Sequence, residues 1–240
     1  MHPKAGHILG RISRFIPNVT RISTQSMRAR FFLPSYNHHV GKDLAALRKG
    51  NREPRLYSWI DSFADGSVFF DVGTNYGQEV VWASGQRDKT IRVIGFDCSL
   101  LSGHFCALNS ALNDSKFEFV FAAIGAKSGE MATITTSSDT HIPDLHKKNA
   151  PYSYQVPMLA LDDYIAEHDV HPSHLKIDVD GAEHGVIDGA KKALASDTLR
   201  EIFIEIDHIN KGLIDKILAF GFTISWQEDK RHNSEYLLVK

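Results

Sequence analysis

The feature that most constrains this chain is a junction between two periodicities. Val68-Phe69-Phe70-Asp71-Val72 is a short, nearly continuous apolar run. It passes through Gly73-Thr74-Asn75-Tyr76-Gly77 into Gln78–Ala83, which carries a helical pattern. A run of this length that ends in a Gly-containing turn reads as a strand buried on both faces, and the turn into a helix defines a strand–helix unit. The glycines at 73 and 77 let the backbone approach a ligand closely and adopt a positive φ. The spacing is not G-x-G-x-x-G and no phosphate-loop lysine follows, so the dinucleotide and nucleotide-triphosphate fingerprints both fail. Asp71, Gly73, Asn75, Gly77 and Glu79 instead make a turn suited to a zwitterionic amino-acid moiety, with a helix N-terminus for its carboxylate. An ordinary tight turn is the bland alternative.

The same alternation recurs downstream. Strand patterns at 91–97, 117–125, 175–179 and 201–206 alternate with helix patterns at 78–83, 100–112, 161–168, 182–195 and 213–220. This order predicts an α/β Rossmann-like doubly wound sheet, mostly parallel with right-handed crossovers. Residues 222–226 and 236–240 pair as a hairpin, which makes the C-terminal strand antiparallel. Residues 131–136 and 154–159 read as extra strands or hairpin arms.

Two further clusters carry chemistry. Asp97 ends the second strand, 26 residues after Asp71, where a carboxylate accepts hydrogen bonds from both hydroxyls of a ribose. Ala122 and Ala123 end the third strand and leave room for a flat adenine edge, or else are ordinary packing. In Leu175-Lys176-Ile177-Asp178-Val179-Asp180-Gly181-Ala182-Glu183, three charged side chains share one strand face. Unpaired charge in a buried sheet is costly, so either the sheet opens onto a polar site here or the charges neutralise one another. Lys176 is read as pairing with these acids, and Glu183 chiefly as a helix-capping partner of Asp180.

Taken in order, DVGTNYGQE, IGFD, AAIG, LALDDY and LKIDVDGAEHGVIDGA resemble the FkbM family of methyltransferases, over roughly residues 57–208. The resemblance implies an S-adenosylmethionine (AdoMet)-dependent O-methyltransferase acting on a hydroxyl of a small molecule, sugar or glycan. It places Asp71, Gly73, Asn75, Gly77, Glu79, Asp97, Ala122, Ala123 and Asp178 around the cofactor. Two departures stand out. The family's usual Glu-Pro after the second strand is Asp97-Cys98, and the usual Glu of the KIDVEG block is Asp180, one methylene shorter.

An alcohol is a poor nucleophile unless it loses its proton as it attacks, so a base is expected. His208, just past EIFIEI, is the candidate, with Asp178 and Asp180 beside it at the catalytic edge. A divalent metal held by Asp178, Asp180 and Asp207 is the other route to activation. A non-catalytic binding module and a nucleic-acid methyltransferase are the rivals. Against the latter there is no N-P-P-Y-type tetrapeptide and no catalytic Cys motif, so no nucleic-acid partner is expected.

Charge is distributed unevenly along the chain. Residues 1–56 hold eleven Lys/Arg and two acids, net +9, whereas residues 57–240 are net −11. The first 56 residues are therefore read as a basic, helical or irregular extension on one methyltransferase domain, 57–240, serving as an acceptor lid or homodimer contact. Ile8, Ile12, Phe15 and Ile16 would form an apolar stripe there, and Phe31–His39 the lid. The extension resembles an Arg/Ser-rich transit peptide but is read as retained. Cys98 and Cys106 form no disulfide framework and read as packing residues, and no run reaches the ~18 apolar residues of a membrane span. A cytoplasmic location is the expectation.

Overall fold

Strand β3 (Val68–Val72) takes a central place in a seven-stranded sheet because both its faces are apolar: Phe70 and Val72 enter one core, Phe69 the other. The computed structural model describes residues 19–33, 38–114, 116–136 and 152–240. The sheet also contains β4 (Arg92–Asp97), β5 (Glu118–Phe121), β9 (His174–Ile177), β10 (Glu201–Asp207), β11 (Thr223–Asp229) and β12 (Asn233–Val239). Their spatial order is β11-β12-β10-β9-β3-β4-β5. All neighbours from β10 to β5 run parallel, and β12 is antiparallel to both β10 and β11. This is the doubly wound, mostly parallel sheet with an antiparallel C-terminal strand that the alternation predicts. A separate three-stranded sheet is formed by β6 (Ala123–Ile124), β7 (Met131–Thr136) and β8 (Tyr152–Leu159).

Helices cover both faces. On one side α5 (Leu161–His168), α6 (Glu183–Asp188), α7 (Lys191–Ala195) and α8 (Leu213–Leu218) bury Leu161, Val186, Leu194 and Ile217 against Phe70, Ile177 and Ile204. The other side is covered by α1 (His38–Arg48), α2 (Pro54–Asp61), α3 (Gln78–Ser84) and α4 (Leu100–Leu112). Helix α2 begins with Pro54, whose fixed φ suits a first turn, and lays Trp59 edge-on against Phe63 and Phe69. The Ser99 hydroxyl caps α4 by accepting from the Ser102 N–H at 3.3 Å.

Three local readings need correction. Residues 19–32, expected to be irregular, form an antiparallel hairpin of β1 (Val19–Ser23) and β2 (Arg28–Phe32). Alternation explains it: Ile22, Ala29 and Phe31 point inward and are buried, while Arg21, Ser23, Arg28 and Arg30 are exposed. The expected single strand over 117–125 divides at Ala122, whose N–H turns to the Asp97 carbonyl at 3.1 Å. The expected helix over 182–195 breaks at Gly189-Ala190. There Asp162 from α5 caps the second segment, accepting from the Lys192 and Ala193 N–H groups at 2.8 and 2.9 Å.

The stripe Ile8–Ile16 and Tyr36 lie outside the described residues. Of the expected lid, Phe31 is fully buried and Phe32 packs on Phe105 and His104. Among the described residues no helix is long and apolar enough to cross a membrane.

The break at Gly189 generates a test. A Cβ there would lie 2.0 Å from the Gly125 carbonyl oxygen. Neither backbone can yield cheaply, so Gly189→Ala should cost about 2 kcal/mol or more, read as a lowered urea midpoint at unchanged slope.

Candidate functional site

A cavity of about 290 Å³ opens at the carboxyl ends of β3, β4 and β9. The sheet's connectivity reverses between β3 and β9, and open α/β sheets bind ligands at such switch points. The volume is at the small end of the range for small-molecule sites, about 300–1,000 Å³.

Two loops build its floor. After β3, the Gly73 and Thr74 N–H groups both reach the Phe96 carbonyl, at 2.9 and 3.2 Å, and after β9 the Asp178 N–H reaches the Val72 carbonyl at 3.0 Å. These bonds hold the loops in backbone contact. Gly73 has φ +85°, and a Cβ on it would fall 1.8 Å from the Asp178 carbonyl oxygen. Glycine is therefore required first by the neighbouring loop, before any ligand is considered. Helix α4 fastens the rest of the turn: the Asn109 amide donates to the Tyr76 carbonyl at 2.9 Å, and the Cys106 thiol lies 3.6 Å from the Asn75 carbonyl.

Of the residues singled out in the sequence, Gly73, Asn75, Asp97, Ala122, Ala123, Asp178 and Asp180 all line this cavity. Asp97 is held by two N–H groups, from Asn75 at 2.7 Å and Ser99 at 2.8 Å, one to each oxygen. Burial raises its carboxyl to about 6, against the lowering effect of those bonds. A carboxylate oxygen can accept more than one hydrogen bond, so Asp97 keeps acceptor capacity beyond these two N–H groups. Phe96, Ile124, Val72 and Val179 give apolar walls, and Ala122 and Ala123 are small residues among them.

Asp71, Gly77 and Glu79 lie off the cavity wall. Asp71 is fully buried and its nearest charge is the Lys176 ammonium at 3.4 Å, which also pairs with Asp178 at 3.1 Å. Of the two readings of the charged strand face, this geometry realises both. Lys176 neutralises Asp71 within the protein, while Asp178 turns to the cavity. Burial alone would lower the Lys176 ammonium, but Asp178 and Asp71 hold it well above its ordinary value. Burial pushes Asp71 up to about 7, although Lys176 opposes the shift. Glu79 accepts a hydrogen bond from the Tyr57 hydroxyl at 2.7 Å, in the layer contributed by α2.

His208 opens a short 3-10 turn after β10, and neither it nor Asp207 lines the cavity. Among the described residues no group of three or more His, Cys, Asp or Glu side chains is gathered as a metal site, so Asp178, Asp180 and Asp207 do not form one. Glu183 accepts from the Gly181 N–H at 3.0 Å and from the Asn210 amide at 3.2 Å. The N-cap of α6 is Ala182, so the expected reciprocal pair with Asp180 is not the cap.

Sequence reasoning missed Glu205. It lines the cavity from β10, accepts a hydrogen bond from the Asn233 amide, and has Lys230 3.9 Å away. Burial, reinforced by the negative charge of Asp178, raises its carboxyl to about 7. The signal was present: an acid inside the otherwise apolar run EIFIEI, on the strand beside LKIDV.

A family model of the methyltransferase FkbM domain matches residues 71–231, about two thirds of the chain. The chain belongs to the FkbM methyltransferase family. Membership implies S-adenosylmethionine as the methyl donor. Methyltransferase FkbM from Methylobacillus flagellatus KT aligns with a TM-score of 0.52 at 16% identity, over 82% of this chain and 54% of that one. The chain thus spans about half the length of that structure, and the likeness is one of fold. Fibrillarin from Aeropyrum pernix, solved with bound S-adenosyl-L-methionine, aligns at TM-score 0.47 and 12% identity over 82% and 74% of the two chains. Precorrin-6y C5,15-methyltransferase from Geobacter metallireducens GS-15 aligns at TM-score 0.47 and 13% identity over 78% and 86%. No curated protein matches the chain.

The buried FkbM-domain ion pair yields a second prediction. Lys176→Met strands Asp71 in the core, and breaking a buried pair from one side costs about 3–5 kcal/mol. Without its partner Asp71 titrates higher still when folded. In the parent the Asp71 carboxyl already holds its proton in the fold up to about 7, so the loss relative to the parent should be nearly constant below that value and grow as pH rises above it. Denaturation of Lys176→Met and of Lys176→Met/Asp71→Asn at several pH values checks this; the second change should recover part of the loss at neutral pH.

Proposed function

We propose that this chain is an S-adenosylmethionine-dependent O-methyltransferase acting on a hydroxyl of a small molecule or glycan. The observation that carries the reading is one cavity holding two carboxylates suited to different tasks. Asp97 sits at the end of the second strand with free acceptor capacity, and Glu205 stands on the other side of the β3–β9 switch with a carboxyl near 7. The cavity also fits the cofactor in its small-residue wall at Ala122 and Ala123 and in the backbone cradle at Gly73 and Asn75.

When bound, S-adenosylmethionine supplies an electrophilic methyl group on a positively charged sulfur. Asp97 accepts hydrogen bonds from the ribose hydroxyls. The Gly73–Asn75 backbone and the Asp178 carboxylate hold the amino-acid end, and Asp180 adds negative charge to the same rim. Asp71 and Glu79 act from beneath by fixing Lys176 and α2. Glu205 is the general base, its carboxylate taking the proton from the acceptor hydroxyl. A base titrating near the working pH combines a useful ionised fraction with adequate basicity. A hydroxyl acceptor suits this arrangement because it must shed its proton as the bond to carbon forms. His208, off the cavity, is left without a direct part.

Two measurements test the proposal. Calorimetry should give one S-adenosylmethionine per chain, and Asp97→Ala should weaken binding about tenfold or more, the scale of losing charge-assisted hydrogen bonds. Native affinity in Asp97→Ala would remove the ribose assignment. For catalysis, kcat should rise with pH through about 7 and then level, because the base acts only when ionised. Glu205→Gln should lower kcat about 10²–10⁴-fold and abolish that limb while leaving cofactor affinity nearly intact. His208→Ala should keep kcat; a loss there with Glu205→Gln unimpaired would transfer the role to His208.

A further inference from the structure

The basic character of the N-terminal segment is unused by the methyl-transfer site. The β1–β2 hairpin gathers part of it in one place. Arg21 on β1 and Arg30 on β2 are directly opposite in register, and Arg28 lies on the same outward face. Like charges directly opposite on paired strands are destabilising. Arg87 and Lys116 approach from the body, so that five cations line a groove of about 430 Å³, with Asp114 as its one acid. None of the five forms an ion pair with a described residue.

The groove is also rigidly built. Asn113, at the end of α4, bonds the Arg30 backbone on both sides, accepting from its N–H at 2.9 Å and donating to its carbonyl at 2.7 Å. The Arg28 N–H is tied to the Gly85 carbonyl at 3.0 Å. The Arg87 guanidinium is oriented by the Ser23 hydroxyl at 2.7 Å, and Arg48 braces the hairpin through Thr20 and the Arg21 carbonyl. The cations therefore cannot separate by moving the strands apart. Partial negative charge at the α4 C-terminus, roughly half a unit, is too small to balance them. Guanidinium groups match phosphate oxygens in paired, charge-assisted hydrogen bonds.

We propose that this groove binds a compact phosphate-bearing ligand through Arg21, Arg28, Arg30, Arg87 and Lys116. The site is separate from the methyl-transfer cavity. Ser102 of α4 lines the cavity and Leu112 lines the groove, ten residues or about 15 Å apart along the helix. The groove's size favours a single phosphorylated group, either on a soluble molecule or on a lipid headgroup.

The full chain is tested with two probes, inorganic pyrophosphate and vesicles of phosphatidylcholine with or without phosphatidic acid, at constant ionic strength in chloride. Pyrophosphate should raise the melting temperature of the parent chain. Arg30→Gln should be at least as stable as the parent in chloride alone, because a like-charge pair is relieved. Its affinity for pyrophosphate should fall about tenfold. Sedimentation with phosphatidic-acid vesicles that Arg30→Gln abolishes would support the same site with the phosphate on a headgroup. Arg28→Gln supplies an independent second variant. The proposal is overturned if neither probe binds, if binding is unchanged in both variants, or if Arg30→Gln is destabilised in chloride.

Discussion

The lysine at position 176 is the charge on which the rest of the site depends. It is almost wholly enclosed, yet it reaches Asp71 on one strand and Asp178 just beyond another. An ammonium in this position would be intolerable alone, and so would the Asp71 carboxylate. Together they allow two parallel strands to carry charge on faces that are otherwise apolar. The pair also fixes the carboxyl ends of β3 and β9 relative to each other, and the contact of Gly73 with the Asp178 backbone completes that join. The cavity stands on this seam. Its shape follows from how two loops are locked, and its charge follows from which acids Lys176 leaves facing outward.

The segment preceding β3 is tied to the same arrangement. Tyr57 from α2 donates to Glu79, and Arg52, paired with Asp43 at 3.2 Å and Glu53 at 3.5 Å, lies over the same layer. Ile22, Phe31, Leu47 and Trp59 share one apolar cluster with Phe69, Val80 and Phe203 of the sheet. The polar groups beneath the cavity are thus roofed by residues from the basic segment, whose inward face is core and whose outward face is arginine.

Strands and helices were legible in the sequence wherever periodicity was uninterrupted. The Leu100–Leu112 and Leu161–His168 helices and the Met131–Thr136 strand have the ends that their patterns indicate. The cavity's lining was legible where strands end in turns, at Gly73 and Asn75 and at Asp97, whereas Asp71, Gly77 and Glu79 of the same motif fall off its wall. Departures arise where a distant group decides. The helix interruption at Gly189 depends on Asp162 and Gly125, which no local window contains. The hairpin at 19–32 was obscured because its outward residues are arginines, which read as a solvated run until the buried Ile22, Ala29 and Phe31 are seen on the other face. Glu205, which lines the cavity where His208 does not, went unremarked because an acid inside an apolar run draws less notice than a histidine, and only the sheet register places it beside β9.

The place of β12 bears on the order in which the molecule can be assembled. This strand is inserted between β10 and β11, pairing with residues 201–207 on one side and with β11 on the other. As the chain emerges during synthesis, β11 appears first and has no neighbour in the sheet to accept it. Until residues 233–239 follow, β10 presents an open edge bearing Ile202, Ile204 and Ile206. Such an edge is a template for pairing with another chain. The folding chain therefore passes through an interval, lasting until residues 233–239 dock, in which the central sheet is substantially formed but still adhesive.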